Sequence, residues 1–214
     1  RQEQDGSFGS GRSETVQFAR FDISVPPDRN LGEINWPPRQ GQINPKTQFL
    51  TVGELVYHAD ANFRADLKRQ LEASGGEAVI FVHGFNNNFA EGLYRAAQLQ
   101  HDMDRNGTSV FFSWPSQARA LDYLADQDNA LYSRDALATT IDAMARSNAK
   151  SINLAAHSMG TLLLMDTLRT MALTGHDQFF AKLNAVVLIS ADLDIDLFRQ
   201  EAAPVVERGV DIFV

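Results

Sequence analysis

The 214 residues, 44% hydrophobic and 21% charged, suffice for one domain with a buried core and lie far from the composition of a disordered chain. Nineteen Lys and Arg against 27 Asp and Glu leave a net charge of −8, which offers no field to draw in a phosphate backbone, so nucleic acid is not an expected partner. With no cysteine, the fold can use neither disulfides nor thiolate metal sites, and no apolar run approaches the roughly 18 residues that a membrane-spanning helix needs.

The first fifteen residues are rich in Gly, Ser, Gln and charge and show no periodicity, which predicts a flexible tail over 1–15 ahead of a single domain over 16–214. Gly6 to Ser13 almost spells a phosphate-binding loop. Such a loop needs a strand before it and a helix after it, and the sequence offers neither. Strand-like segments follow at Val16 to Val25 and Phe49 to Val56, separated by a loop bearing Pro26, Pro27, Pro37, Pro38 and Pro45, and predict an antiparallel edge. Between Ala61 and Ala73, Phe63, Leu67 and Leu71 recur every fourth residue as on an amphipathic helix, which Gly75 and Gly76 end.

A regular alternation then begins. Ala78 to Val82 is a continuous apolar strand, Phe89, Leu93, Ala96 and Ala97 mark a helix, Asn106-Gly107 is a turn, and Ser109 to Phe112 is the next strand. Ser116 to Asn129, with Tyr123, Asp126 and Asp128, reads as a polar loop, either a substrate cap or a plain solvated connection. Ala136, Ile141 and Met144 mark a further helix. Strands at Ile152 to Ala155 and Ala185 to Ile189, each followed by a helix, lead to a last apolar run at Val210 to Val214. Strands apolar throughout are buried on both faces, so the predicted class is α/β: a mostly parallel sheet with helices on both faces.

The strongest chemical signal is Ala156-His157-Ser158-Met159-Gly160, lying between a strand and a helix-forming stretch. A sharp strand-to-helix turn holds a hydroxyl at the carboxyl edge of the sheet with a helix N-terminus behind it, where an acyl-transfer nucleophile is useful. Ser158 is the candidate nucleophile. A second buried strand ends in His83-Gly84-Phe85-Asn86. Ester cleavage puts negative charge on the carbonyl oxygen, and the amides of Phe85 and Met159 are the candidate oxyanion donors. Gly84 and Gly160 are expected where main chains approach too closely for a Cβ.

The runs Glu77 to Asn86, Phe111 to Ser116, Ala155 to Gly160 and Ser190 to Phe198 resemble a bacterial branch of the alpha/beta-hydrolase superfamily, esterase- and lipase-like and known mainly as a domain of unknown function. The resemblance covers Val16 to the end. It implies the alpha/beta-hydrolase fold, a serine nucleophile, an acid–histidine pair and no cofactor, but no particular substrate; a small-molecule or lipid ester is the expected partner of such a serine. It also implies that the acid follows the serine and the histidine follows the acid, so both are expected partly or wholly beyond Val214, and the fold is expected to be truncated at its C-terminal side. Within the chain, Asp192, directly after a buried strand, is the tentative acid. His176, in the turn after the nucleophile helix, is expected at the wrong end of the sheet.

Asn86, Trp114 and Tyr123 are tentative pocket residues, Trp114 being read equally well as a core aromatic. His83 and His157 read as structural supports, and His58 and His101 as surface residues. Asp192-x-Asp194-x-Asp196 opens like a calcium loop, but Leu197 stands where that loop needs glycine and Ala203 where it needs glutamate, so no metal is expected. The alternatives to an esterase are a non-catalytic binding module that keeps the fold and an acyltransferase. The compartment stays open between bacterial cytoplasm and, if a signal peptide preceded Arg1, periplasm or exterior.

Overall fold

The computed structural model describes residues 8–38, 40–103, 107–117 and 119–214. In chain order the elements are β1 (Phe18–Ser24), β2 (Leu50–Tyr57), α1 (Asp60–Ala73), β3 (Glu77–Val82), α2 (Phe89–Asp102), β4 (Thr108–Phe112), a 3-10 turn (Ala120–Asp122), α3 (Tyr123–Tyr132), α4 (Arg134–Ala145), β5 (Ser151–His157), α5 (Met159–Thr174), α6 (Asp177–Phe180), β6 (Leu183–Ile189), α7 (Ile195–Val206) and β7 (Asp211–Phe213). The main sheet is parallel, in the order β4-β3-β5-β6-β7.

Both faces of that sheet are covered. Successive strand residues point to opposite faces: Ala78, Ile80 and Val82 of β3 join Ile152, Leu154 and Ala156 of β5 in the large core, whereas Phe81 and Ala155 join Ala96 and Phe111 in a smaller one. The large core takes its other half from α1, α3, α4, α5 and α7; the small one is covered by α2. The helix α5 is buried on nearly all sides, Leu163, Leu164, Met165 and Leu168 being fully buried, which explains its unbroken apolar sequence. Each such leucine contributes about 2 kcal/mol by leaving water. Helix α2 starts from a reciprocal cap: Asn88 accepts from the Glu91 amide (3.0 Å) and Glu91 accepts from the Asn88 amide (2.8 Å).

The structure departs from the sequence reading in three places. β1 and β2 pair antiparallel as expected, but they form a two-stranded sheet of their own rather than the edge of the main sheet. Of the expected tail, residues 1–7 lie outside the described residues, while Phe8 stacks on Phe89 (4.7 Å) and Arg12 donates to Asn129 (2.8 Å), so one aromatic ring and one guanidinium tie 8–13 to the domain. Strand β1, not a helix, follows that segment, so it lacks the context of a phosphate loop; the expected turn at Asn106 falls outside the described residues.

The third departure is the expected polar loop, whose second half is helix α3. Asp126 there is fully buried, accepting from the Ser116 hydroxyl (2.7 Å), the Gln117 amide (2.9 Å) and the Asn129 side chain (3.2 Å). A carboxyl group tolerates burial when its oxygens are satisfied this fully. A polar residue therefore fills a position that periodicity reserves for an apolar one.

Candidate active site

Ser158 sits where β5 meets α5, at φ 51° and ψ −130°. A non-glycine residue in that region is strained, and such strain persists only where the surroundings impose it. They do so here. The Ser158 amide donates to the Ile189 carbonyl at the end of β6 (3.0 Å), and the Ser158 carbonyl accepts from both the amide (2.8 Å) and the hydroxyl (2.7 Å) of Thr161. The side chain is half-buried at the carboxyl edge of the sheet, and α5 begins at the next residue.

The end of β3 presses against this turn. A Cβ on Gly84 would lie 2.8 Å from the Ser158 Cβ and 2.7 Å from the His157 Nδ1. A Cβ on Gly160 would lie 2.9 Å from the Val82 carbonyl oxygen and closer still to that of His83. Both glycines are therefore required by contact between two main chains, as expected from the sequence. The loop 84–86 lies beside Ser158. Asn86 is exposed with φ 58°, and the Asn87 side chain donates to the carbonyls of Phe85 (2.9 Å) and Gly84 (3.3 Å), which fixes the direction of the peptide units around Phe85. Among the described residues, neither the Phe85 nor the Met159 amide donates to a protein acceptor.

His83 holds this loop from behind. Its ring is buried and stacks face to face on Trp114 (4.9 Å, 1°), and the Trp114 indole donates to the His83 carbonyl (2.7 Å). With its proton on Nδ1, the ring donates to the Gly84 carbonyl (2.9 Å) and accepts the Trp114 amide at Nε2 (3.1 Å). Burial pushes its pKa down to about 4, so the ring is neutral at pH 7. Trp114, 2% exposed, is thus a core support for the loop, the second of the two readings that its sequence allows.

Tyr123 lies against the loop that follows β3. Its ring meets Phe85 edge-on (5.2 Å, 75°), and its hydroxyl donates to Asp192 (2.7 Å). That bond raises the Tyr123 pKa, with burial adding to the rise. Asp192 follows β6 through Ser190, itself at φ 48°, and its amide donates to the Thr161 hydroxyl (3.3 Å). One short network therefore joins Ser158, Thr161, Asp192, Tyr123 and Phe85. The sequence singled out four of these five; Thr161 carries no sequence signal beyond a hydroxyl one turn into α5.

Among the described residues, no histidine forms a hydrogen bond with the Ser158 hydroxyl. His176 lies past the far end of α5, about 24 Å along a 16-residue helix, and meets Asp142 (3.0 Å). His157 is half-buried beside Gly84, its pKa lowered by burial and then by Arg95. His58 and His101 are exposed. Among the described residues, no side chain forms a hydrogen bond with the Ser158 hydroxyl, no group of three or more acidic and histidine side chains is gathered to hold a metal ion, and no helix is long and apolar enough to cross a membrane.

Comparison with characterised proteins returns no match to this chain. Residues 59–212 match the family model described as "Alpha/beta hydrolase of unknown function (DUF900)", a span that contains the main sheet and every element around Ser158. The chain belongs to this alpha/beta-hydrolase family.

Proposed function

We propose that the protein is a serine hydrolase that cleaves carboxylic esters through an acyl-enzyme on Ser158. The observation that carries this reading is the strained Ser158 at the head of α5, with the Gly84 backbone against it. A hydroxyl held there is exposed to an incoming carbonyl, and two amides with no protein acceptor, those of Phe85 and Met159, flank it.

The reaction follows from those positions. Oγ of Ser158 attacks the ester carbonyl as a base takes its proton; the oxygen that becomes negative receives the two amides; collapse expels the alcohol, which takes the proton from the base; water then repeats the sequence and releases the acid. Asp192 is the candidate acid that orients the base. Asn86 and Tyr123 border the entrance. The helix N-terminus behind Met159 favours the developing negative charge.

The reading requires an imidazole hydrogen-bonded to Oγ, and among the described residues none of the five histidines makes that bond. That observation favours a second reading, a binding module that keeps the hydrolase fold without catalysis. Activated short-chain esters separate the two. The first reading expects turnover by the full-length protein that falls at least about a thousandfold in Ser158→Ala; the second expects no turnover that depends on Ser158. Transfer of the acyl group to an added alcohol, measured in the same assay, would reassign the enzyme as an acyltransferase.

A further inference from the structure

Thr161, fully buried in the first turn of α5, uses its hydroxyl in both directions. It donates to the Ser158 carbonyl (2.7 Å) and accepts the Asp192 amide (3.3 Å) from the loop after β6. Other helical threonines behave differently. Thr139 and Thr140 of α4, and Thr167, Thr170 and Thr174 of α5, each donate to the carbonyl four residues back, the ordinary local bond of a threonine in a helix. Four residues before Thr161 stands His157, the last residue of β5, and the hydroxyl turns instead to Ser158.

The contacts close into a circuit. The Ser158 amide donates to the Ile189 carbonyl (3.0 Å), where the chain leaves β6; it bends at Ser190 (φ 48°) and returns the Asp192 amide to Thr161, whose hydroxyl leads back to Ser158. β5 and β6 are register partners at His157 and Ile189, so the nucleophile turn and the loop bearing Asp192 leave the sheet side by side. Every group in the circuit but one belongs to the backbone. That one is the Thr161 hydroxyl. The Tyr123 hydroxyl holds the Asp192 carboxylate (2.7 Å), whereas Thr161 holds the main chain from which that carboxylate projects.

We propose that Thr161 is a positioning residue for the reaction at Ser158: its hydroxyl clasps the Ser158 turn and the Asp192 loop at a fixed separation. The inference rests on the ester reading of Ser158 and adds to it the group that aligns the nucleophile with its acid. Attack on a carbonyl tolerates little displacement, and an error of about 1 Å can cost about a hundredfold in rate. The buried hydroxyl does not meet the substrate, so its loss acts on kcat and leaves KM nearly unchanged.

Three variants of the full-length protein test the clasp. Thr161→Val removes the hydroxyl and keeps the shape, Thr161→Ser keeps the hydroxyl, and Thr167→Val removes an equally buried hydroxyl of α5 whose bond is local to the helix. With an activated short-chain ester, Thr161→Val should lower kcat at least about tenfold with KM within about twofold, while Thr161→Ser and Thr167→Val stay within about threefold of the parent. Amide exchange followed by NMR without substrate should be at least about tenfold faster at Asp192 in Thr161→Val and unchanged in the other two. An unchanged kcat in Thr161→Val, an equal loss in Thr167→Val, or an unchanged exchange rate at Asp192 would overturn the proposal. A parent with no turnover dependent on Ser158 would defeat the ester reading alone, and the exchange at Asp192 would then decide the clasp.

Discussion

Replacing Gly160 by alanine tests the contact on which the site depends. The new Cβ would come within 2.9 Å of the Val82 carbonyl oxygen and nearer still to that of His83, where real Cβ atoms are essentially never found closer than 3.0 Å. Neither side can give cheaply. His83 is clamped by Trp114 through stacking and by hydrogen bonds in both directions, and the first turn of α5 is held by Thr161. Overpacking of this kind costs about 3 kcal/mol, against which alanine gains about 1 kcal/mol in helix propensity. A net loss near 2 kcal/mol should lower the thermal midpoint by about 4–8 °C in a chain of this size. Ester turnover should fall further than stability does, because relief of the clash moves the Met159 and Phe85 amides apart. Melts followed by circular dichroism, run beside turnover assays below the transition, measure both. A variant that melts within about 1 °C of the parent and retains its activity would refute the reasoning.

Three further outcomes follow from buried charge. Arg29, whose side chain is 3% exposed, pairs with Asp102 and holds that carboxyl well below the usual carboxylate range; Arg29→Ala should cost about 3 kcal/mol in denaturant melts, whereas Ala at the exposed Arg199 should change stability by less than about 0.5 kcal/mol. Glu201 on α7 is buried with one carboxyl oxygen unpartnered, and burial, with Asp166 adding to it and Arg169 opposing, pushes its pKa up to about 7. The folded state thus holds this proton more tightly than the unfolded chain does, so the stability it contributes is full below the ordinary glutamate range and is lost as pH rises through 7. Glu201→Gln should therefore stabilise the protein by about 2 kcal/mol at pH 8 and by nothing measurable at pH 4. His83 has the opposite sign: with its pKa lowered to about 4, its contribution is present above the ordinary histidine range and is lost as pH falls through 4. Its ring resonances in an NMR titration should keep their neutral positions down to about pH 5.

The features legible in the sequence were those written in local pattern. The strands of the main sheet are uninterrupted apolar runs, α1 and α2 show fourfold spacing, and the turn at Ser158 combines small residues with a strand before and a helix after. The glycines at 84 and 160 were legible because only a close approach of main chains explains them. What failed to show did so for physical reasons. Helix α3 is hidden because Asp126 and Asn129 occupy its inner face as hydrogen-bond hubs, and a periodicity of apolar residues does not register a buried carboxylate. Trp114 looks the same in sequence whether it lines a pocket or backs a loop; its partner His83, 31 residues away, shows itself only in the fold. The separation of the β1-β2 hairpin from β4 depends on edges that meet only in three dimensions.

The central claim is that the Ser158 hydroxyl is a reactive nucleophile. Incubating the full-length protein with a fluorophosphonate and locating the adduct by peptide mass spectrometry measures this directly. The account predicts a single adduct on Ser158, formed at a rate that saturates with probe and abolished in Ser158→Ala. An unmodified Ser158 in the folded protein, or equal labelling of the alanine variant, would contradict it.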